Sequence, residues 1–72
     1  MRGPSIERIG ALVGLARAIG RVDLADALIL AETSSRIGFP MTFLQSVSRI
    51  EAIEAEIKAA AAIASAAATA VA

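Results

Sequence analysis

Ser34-Ser35-Arg36-Ile37-Gly38-Phe39-Pro40 gathers turn-forming residues near the middle of a 72-residue chain, and its reading decides the fold. Gly38 can take the left-handed conformation that closes a helix, and Pro40 pushes the residue before it out of helical geometry. Long runs of good helix formers lie on both sides, with no strand alternation, internal repeat or sustained heptad. The expected fold is all-α. It is an antiparallel helical hairpin, with a helix over about residues 4–34, a turn at 35–40 and a second helix over about 41–71. A chain of this length holds one domain at most, here residues 1–72.

Upstream of the turn, Gly3-Pro4 suits a helix start, because proline has its φ already set and lacks only an amide that would be unpaired there. Glu7 complements the positive end of that helix. Gly10, Gly14 and Gly20 interrupt the run that follows. Gly20 to Asp23 allows a kink or a two-part helix, with Asp23 as cap and Asp26 at the capping-box position. Downstream, Pro40 or Met41 opens the second helix, Thr42 is an alternative cap, and nothing from Phe43 to Ala72 breaks it. Steps of about 100° per residue place Phe43, Val47, Ile50, Ile53 and Ile57 on one stripe. Glu54 falls inside that stripe and needs a partner, which Lys58 at i+4 can supply.

Ala59 to Ala72 contains ten alanines and no charge, so the end of the second helix is apolar on every side. Ile9 to Ala16 is nearly so. A small soluble monomer does not tolerate such patches, and other protein or lipid must cover them. The uncharged windows are Ile9 to Ala16, Ile37 to Ser48 and Ala59 to Ala72. All are shorter than the roughly 18–20 residues that span a bilayer, so a conventional transmembrane helix is not expected. Nor does the amino-terminal stretch read as a secretory signal.

With 57% apolar residues and only two aromatics, both Phe, packing falls to Ala, Ile, Leu and Val. Cys, His, Trp and Tyr are absent, which rules out a disulfide and leaves only Ser, Lys and carboxylates for any nucleophile–base pair. We expect no enzyme and no cofactor. Glu51, Glu54 and Glu56 do not form a metal site, because only two of them share a helix face and no His completes a set. The lack of Asn and the excess of Arg over Lys fit a hot habitat or a GC-rich genome.

The formal charge is zero but unevenly spread: net +3 over residues 1–22, net −4 over 23–56, and Lys58 beyond. Gly10 and Gly14, continued by Ala18, strip side chains from one face of the first helix, a spacing that lets another helix approach. Arg17 and Arg21 extend that face. A hairpin folded about residues 37 and 38 places Lys58 opposite Arg17, Glu54 opposite Arg21 and Arg49 opposite Asp26. Arg17, Arg21 and Lys58 then read as a phosphate-binding patch, since guanidinium fits phosphate oxygens, or else Arg21 and Lys58 simply neutralise Glu54. No aromatic platform or reading helix is present, so any nucleic-acid contact would ignore sequence.

In Pro4, the Arg17/Arg21 pair, the turn Ile37-Gly38-Phe39-Pro40 and the tail Ala59 to Ala72, the chain resembles the major capsid proteins of the bacilliform archaeal viruses, the clavaviruses. In that family short apolar helical hairpins stack into a rod around double-stranded DNA. The resemblance covers the whole chain. It implies a structural coat subunit made in the host cytoplasm and located in the virion, forming a heat-tolerant helical homopolymer by self-assembly. It also implies duplex DNA held by inward-facing basic residues: Arg17, Arg21 and Lys58, with Arg8 and Arg49 as lesser contributors. Packing between copies would use Gly10, Gly14, Ala18, Ala59, Ala62, Ile63, Ala66 and Ala70. Zero net charge departs from a strongly basic packaging protein, so DNA charge would be balanced only in part. Filamentous-phage coat proteins share the size and alanine content, but they are single helices with a membrane-spanning run and a basic end. Two other classes stay open: a membrane-associated hairpin like an ATP synthase rotor subunit, which needs two full spans, and a helical dimerisation or adaptor module.

Overall fold

The computed structural model describes residues 6–71, with side chains described as far as residue 67. Gly3-Pro4 lies outside the described residues. Three helices follow in order: α1 (Ile6–Ala18), α2 (Val22–Ile37) and α3 (Phe43–Val71). The all-α expectation holds, and α2 with α3 forms the expected hairpin. Of the two alternatives left open at Gly20–Asp23, a kink or a two-part helix, the chain takes the second, and α1 folds back to pack on both other helices.

Gly20 makes the division. It sits at φ 80°, where an L side chain is strained, and the amides of Gly20 and Arg21 bond back to the carbonyls of Arg17 (3.1 Å) and Ala16 (2.8 Å). That is the Schellman arrangement, which satisfies the last carbonyls of α1 and turns the chain sharply. Asp23 does not cap the next helix. Arg21 occupies the N-cap without a side-chain cap bond, and Asp23 lies in the first turn, where its carboxylate accepts from Arg21 Nε (3.1 Å) and Nη2 (3.0 Å).

α2 runs three residues past its expected end. The Ser34 hydroxyl donates to the Leu30 carbonyl (2.8 Å) and that of Ser35 to Glu32 (2.6 Å), so both serines are accommodated inside the helix. Gly38 then closes α2 as expected, left-handed at φ 75°, its amide donating to the Ser34 carbonyl at 2.7 Å. Pro40 and Met41 belong to the connection, and the Phe39–Pro40 peptide bond is cis. The cap of α3 is Thr42, in a reciprocal capping box. Gln45 N–H donates to Thr42 Oγ1 (3.2 Å), and Thr42 N–H donates to Gln45 Oε1 (2.9 Å).

The core is one cluster to which every helix contributes: Ile9, Leu12 and Ala16 from α1; Leu24, Ala25, Leu28 and Ala31 from α2; Ile50, Ile53 and Ile57 from α3. Spacings of three and four residues define each seam. Ile50, Ile53 and Ile57 are the expected stripe, whereas Phe43 at its end is exposed. Ser34 and Ser46 are fully buried, and each donates its hydroxyl to the carbonyl four residues earlier. Small residues satisfied in this way leave no orphaned polar group where α2 and α3 close toward the turn.

α3 outruns its partners. At about 1.5 Å per residue it is ~43 Å long, against ~20 and ~24 Å for α1 and α2, and the long dimension of the molecule is 46 Å. Ile57 is the last core residue of α3. Ala60 and Ala61 are half-buried, and from Ala62 to Ala67 every residue is exposed. The alanine tail therefore overhangs the three-helix body.

Candidate assembly surface and basic residues

The charged side chains sort by flank of α3. Two residues along a helix correspond to about 200° of rotation, so Glu54 and Glu56 fall on opposite sides of the buried Ile50–Ile53–Ile57 stripe. On one flank Glu54, its side chain only 13% exposed, pairs with Arg8 of α1 and with Lys58 one turn on at 3.6 Å. Arg8 donates through both Nε and Nη2, so the pair is bidentate. Donation by Arg8 holds the Glu54 carboxyl below its ordinary range, against the opposing effect of burial, and the Arg8 guanidinium is correspondingly raised. On the other flank Arg21 pairs with Asp23 and approaches Glu56 at 4.0 Å. The Arg21 hydrogen bonds lower the Asp23 carboxyl, and Arg21 itself is raised. Arg36 pairs with Glu32 at 3.1 Å along α2.

Three expectations change as a result. Glu54 finds its partner Lys58, but its second partner is Arg8 rather than Arg21, because the reversal at Gly20 brings α1 back beside α3. Arg17, Arg21 and Lys58 do not form one cluster: Arg21 and Lys58 are engaged with carboxylates on opposite flanks. Asp26 and Arg49 are both exposed and form no ion pair, since the connection is centred near residue 40 instead of 37 and 38. Among the described residues Arg17 and Arg49 are exposed cations outside any ion pair. No three potential metal ligands converge among these residues.

The small-residue face of α1 is open. Ile9, Leu12 and Ala16 point inward, whereas Gly10, Gly14 and Ala18 lie on the opposite side, exposed. A Cβ built on Gly10 or Gly14 would meet nothing within 4 Å. These residues do not pack helices within the chain. Ala59, Ala62, Ile63 and Ala66 are likewise exposed, Ile63 at 71%; the Ala70 side chain lies outside the described residues.

A surface not foreseen in the sequence joins them. α2 is apolar on its outer side too, with Val22, Ile29, Leu30 and Ile37 exposed, and Phe39 in the connection and Leu44 (69%) at the start of α3 are exposed as well. The signal was available as a second apolar stripe at i, i+7, i+8 and i+15, offset from the core seam. Beside it, Pro40, Met41, Leu44, Ser48, Arg49 and Ala52 line a shallow open depression at the start of α3. No described helix is long and apolar enough to cross a membrane.

No family model matches this chain, and neither does any curated protein or solved structure.

Proposed function

We propose that the chain is a structural subunit that assembles with many copies of itself into a helical coat, and that the coat encloses double-stranded DNA held without sequence preference. The observation that carries this reading is the amount of surface left uncovered. A compact monomer of 7.3 kDa is expected to expose about 4,200 Å², whereas this chain exposes 4757 Å². Among the described residues ten large hydrophobic side chains stand exposed, on all three helices and the connection after α2. Apolar surface on every element calls for neighbours on several sides, which a polymer provides.

The DNA part rests on Arg17 and Arg49, which are exposed and unneutralised among the described residues. Arg8, Arg21 and Lys58 are already matched to carboxylates and contribute less. Such a coat belongs in a virion, built from chains made in the host cytoplasm. The assembly claim predicts large particles in detergent-free buffer at micromolar concentration. Light scattering that finds only a stable monomer or dimer overturns it. The DNA claim predicts nuclease-protected duplex in native particles, reduced by Arg17→Ala with Arg49→Ala. Particles that protect no duplex, or that protect it equally well with both arginines removed, overturn that part alone.

A further inference from the structure

We infer that the outer face of α2 is a self-complementary contact, closed by the α2 of a second copy running antiparallel across a two-fold axis near residues 29 and 30. The inference rests on the reading that copies of the chain cover one another, and it names one of the contacts. At about 100° per residue, Val22, Asp26, Ile29, Leu30, Thr33 and Ile37 fall within an arc of roughly 100°. That arc lies on the side of α2 turned away from the buried Leu24, Leu28 and Ala31. Its apolar members Val22, Ile29, Leu30 and Ile37 are all exposed, so the rest of the chain leaves it uncovered.

The spacing identifies the occupant. In a two-fold contact each residue meets a counterpart on the same patch of the other copy, so the patch must read alike from both ends. This one does. Val22 and Ile37 stand equally far from the midpoint between Ile29 and Leu30. An antiparallel partner therefore sets Val22 level with Ile37 and brings Ile29 and Leu30 against their own counterparts. Asp26 and Thr33 are placed symmetrically too, so the Thr33 hydroxyl comes level with a carboxylate that is in no ion pair among the described residues. The charges choose the direction. Asp23 lies in the first turn of α2, Asp26 follows it, and Arg36 lies in the last turn. An antiparallel pair brings both carboxylates of one copy near the level of Arg36 of the other, twice over. Arg36 approaches Glu32 through Nε and keeps further N–H donors for that role. A parallel pair would instead set each of these charges beside its own like, which costs affinity.

The chain has no cysteine, so single introduced thiols report the geometry. Ile29→Cys and Leu30→Cys lie beside the proposed axis, and each should form a disulfide-linked dimer under mild oxidation. Val22→Cys lies about 22 Å from its own counterpart. It should link to itself at least about tenfold more slowly, yet link readily when mixed with Ile37→Cys. Charge variants give a second reading without oxidation. Ile29→Glu and Ile29→Lys each set like charges face to face and should pair at least about a hundredfold more weakly than the parent, whereas their equimolar mixture should recover as 1:1 pairs. Sedimentation velocity and native mass spectrometry read the pairing, and circular dichroism checks that these exposed substitutions leave the helices intact. Failure of the thiols at 29 and 30 to link, equally fast self-linking at 22, or a mixture no tighter than its components overturns the α2 contact while leaving self-assembly standing. A parent that stops at a dimer with the expected linking pattern supports this contact and overturns the polymer. A parent that stays monomeric overturns both.

Discussion

Replacing Gly20 by alanine tests the feature that separates this fold from a simple hairpin. At φ 80° an alanine costs about 1–2 kcal/mol, offset by about 0.4–1 kcal/mol because the unfolded chain is also stiffened. The net expectation is a loss of roughly 1 kcal/mol, or about 4–8 °C in Tm for a domain of this size. Alanine would also favour fusing α1 and α2 into one straight helix. That would bring Ile9 and Leu12, each 6% exposed, back into water. Uncovering two such side chains costs about 3–6 kcal/mol, more than straightening gains, so the fold-back should survive. Gly14→Ala supplies the opposite sign. Gly14 is mid-helix and its Cβ meets nothing within 4 Å, so about 0.5–1 kcal/mol should be gained. Urea unfolding at one fixed, low chain concentration compares the three proteins without contributions from assembly. Small-angle scattering checks that the radius of gyration stays near 13.3 Å. If Gly20→Ala stabilises as Gly14→Ala does, or lengthens the particle, the left-handed Gly20 does not hold α1 against the bundle and the reasoning fails.

Leu28→Ala, at a fully buried position, should cost about 2–5 kcal/mol in denaturant unfolding, a large part of the roughly 4–11 kcal/mol expected for a chain of this length. Thr42→Ala removes the capping hydroxyl at the start of α3 and should cost about 1 kcal/mol by the same measurement. Glu54 and Asp23 have carboxyls held below their ordinary range. Their stabilisation should be complete above about pH 5 and lost as acid carries the pH down through the lowered folded values. Glu54→Gln should flatten part of that acid slope in a pH series of thermal melts. Arg8 and Arg21 are shifted upward, beyond the working range, and should add no slope near neutrality.

How much of this was legible depends on whether the signal was local. Gly38 as a helix stop and Ile50, Ile53 and Ile57 as a core stripe follow from conformation and periodicity within a few residues. Thr42 and Gln45 stand at capping-box spacing, a signal that locates the start of α3 more closely than Pro40 does. The partner of Glu54 was half legible. Lys58 lies one turn away, but Arg8 arrives only because the chain reverses at Gly20, and the same Gly in a sequence serves equally for a kink. Pairing residues by counting from the turn also fails around the helix axis. It matches heights along two helices but cannot tell that Arg21 and Lys58 occupy opposite flanks of α3. The exposed stripe of α2 was hidden for a different reason: a helix apolar on both sides shows little amphipathic contrast, so neither face stands out.

That double-sided character bears on why a closed dimer is a poor solution for this chain. Joining two tails by a two-fold contact would cover Ile63 and its neighbours, yet leave both Leu44 depressions and both outer faces of α2 in water. Joining two α2 faces would leave the tails uncovered. Each isologous contact satisfies one surface, whereas an open assembly with contacts on several sides covers more than one. Electroneutrality removes the main opposing force. A chain with zero net charge, whose central ion pairs are closed within itself, can be stacked repeatedly without accumulating repulsion along the rod. Under the proposed function, Arg17 and Arg49, exposed and outside any ion pair among the described residues, are the cations that would answer the enclosed DNA. On this account the neutrality that sets the chain apart from strongly basic packaging proteins is a condition for dense stacking.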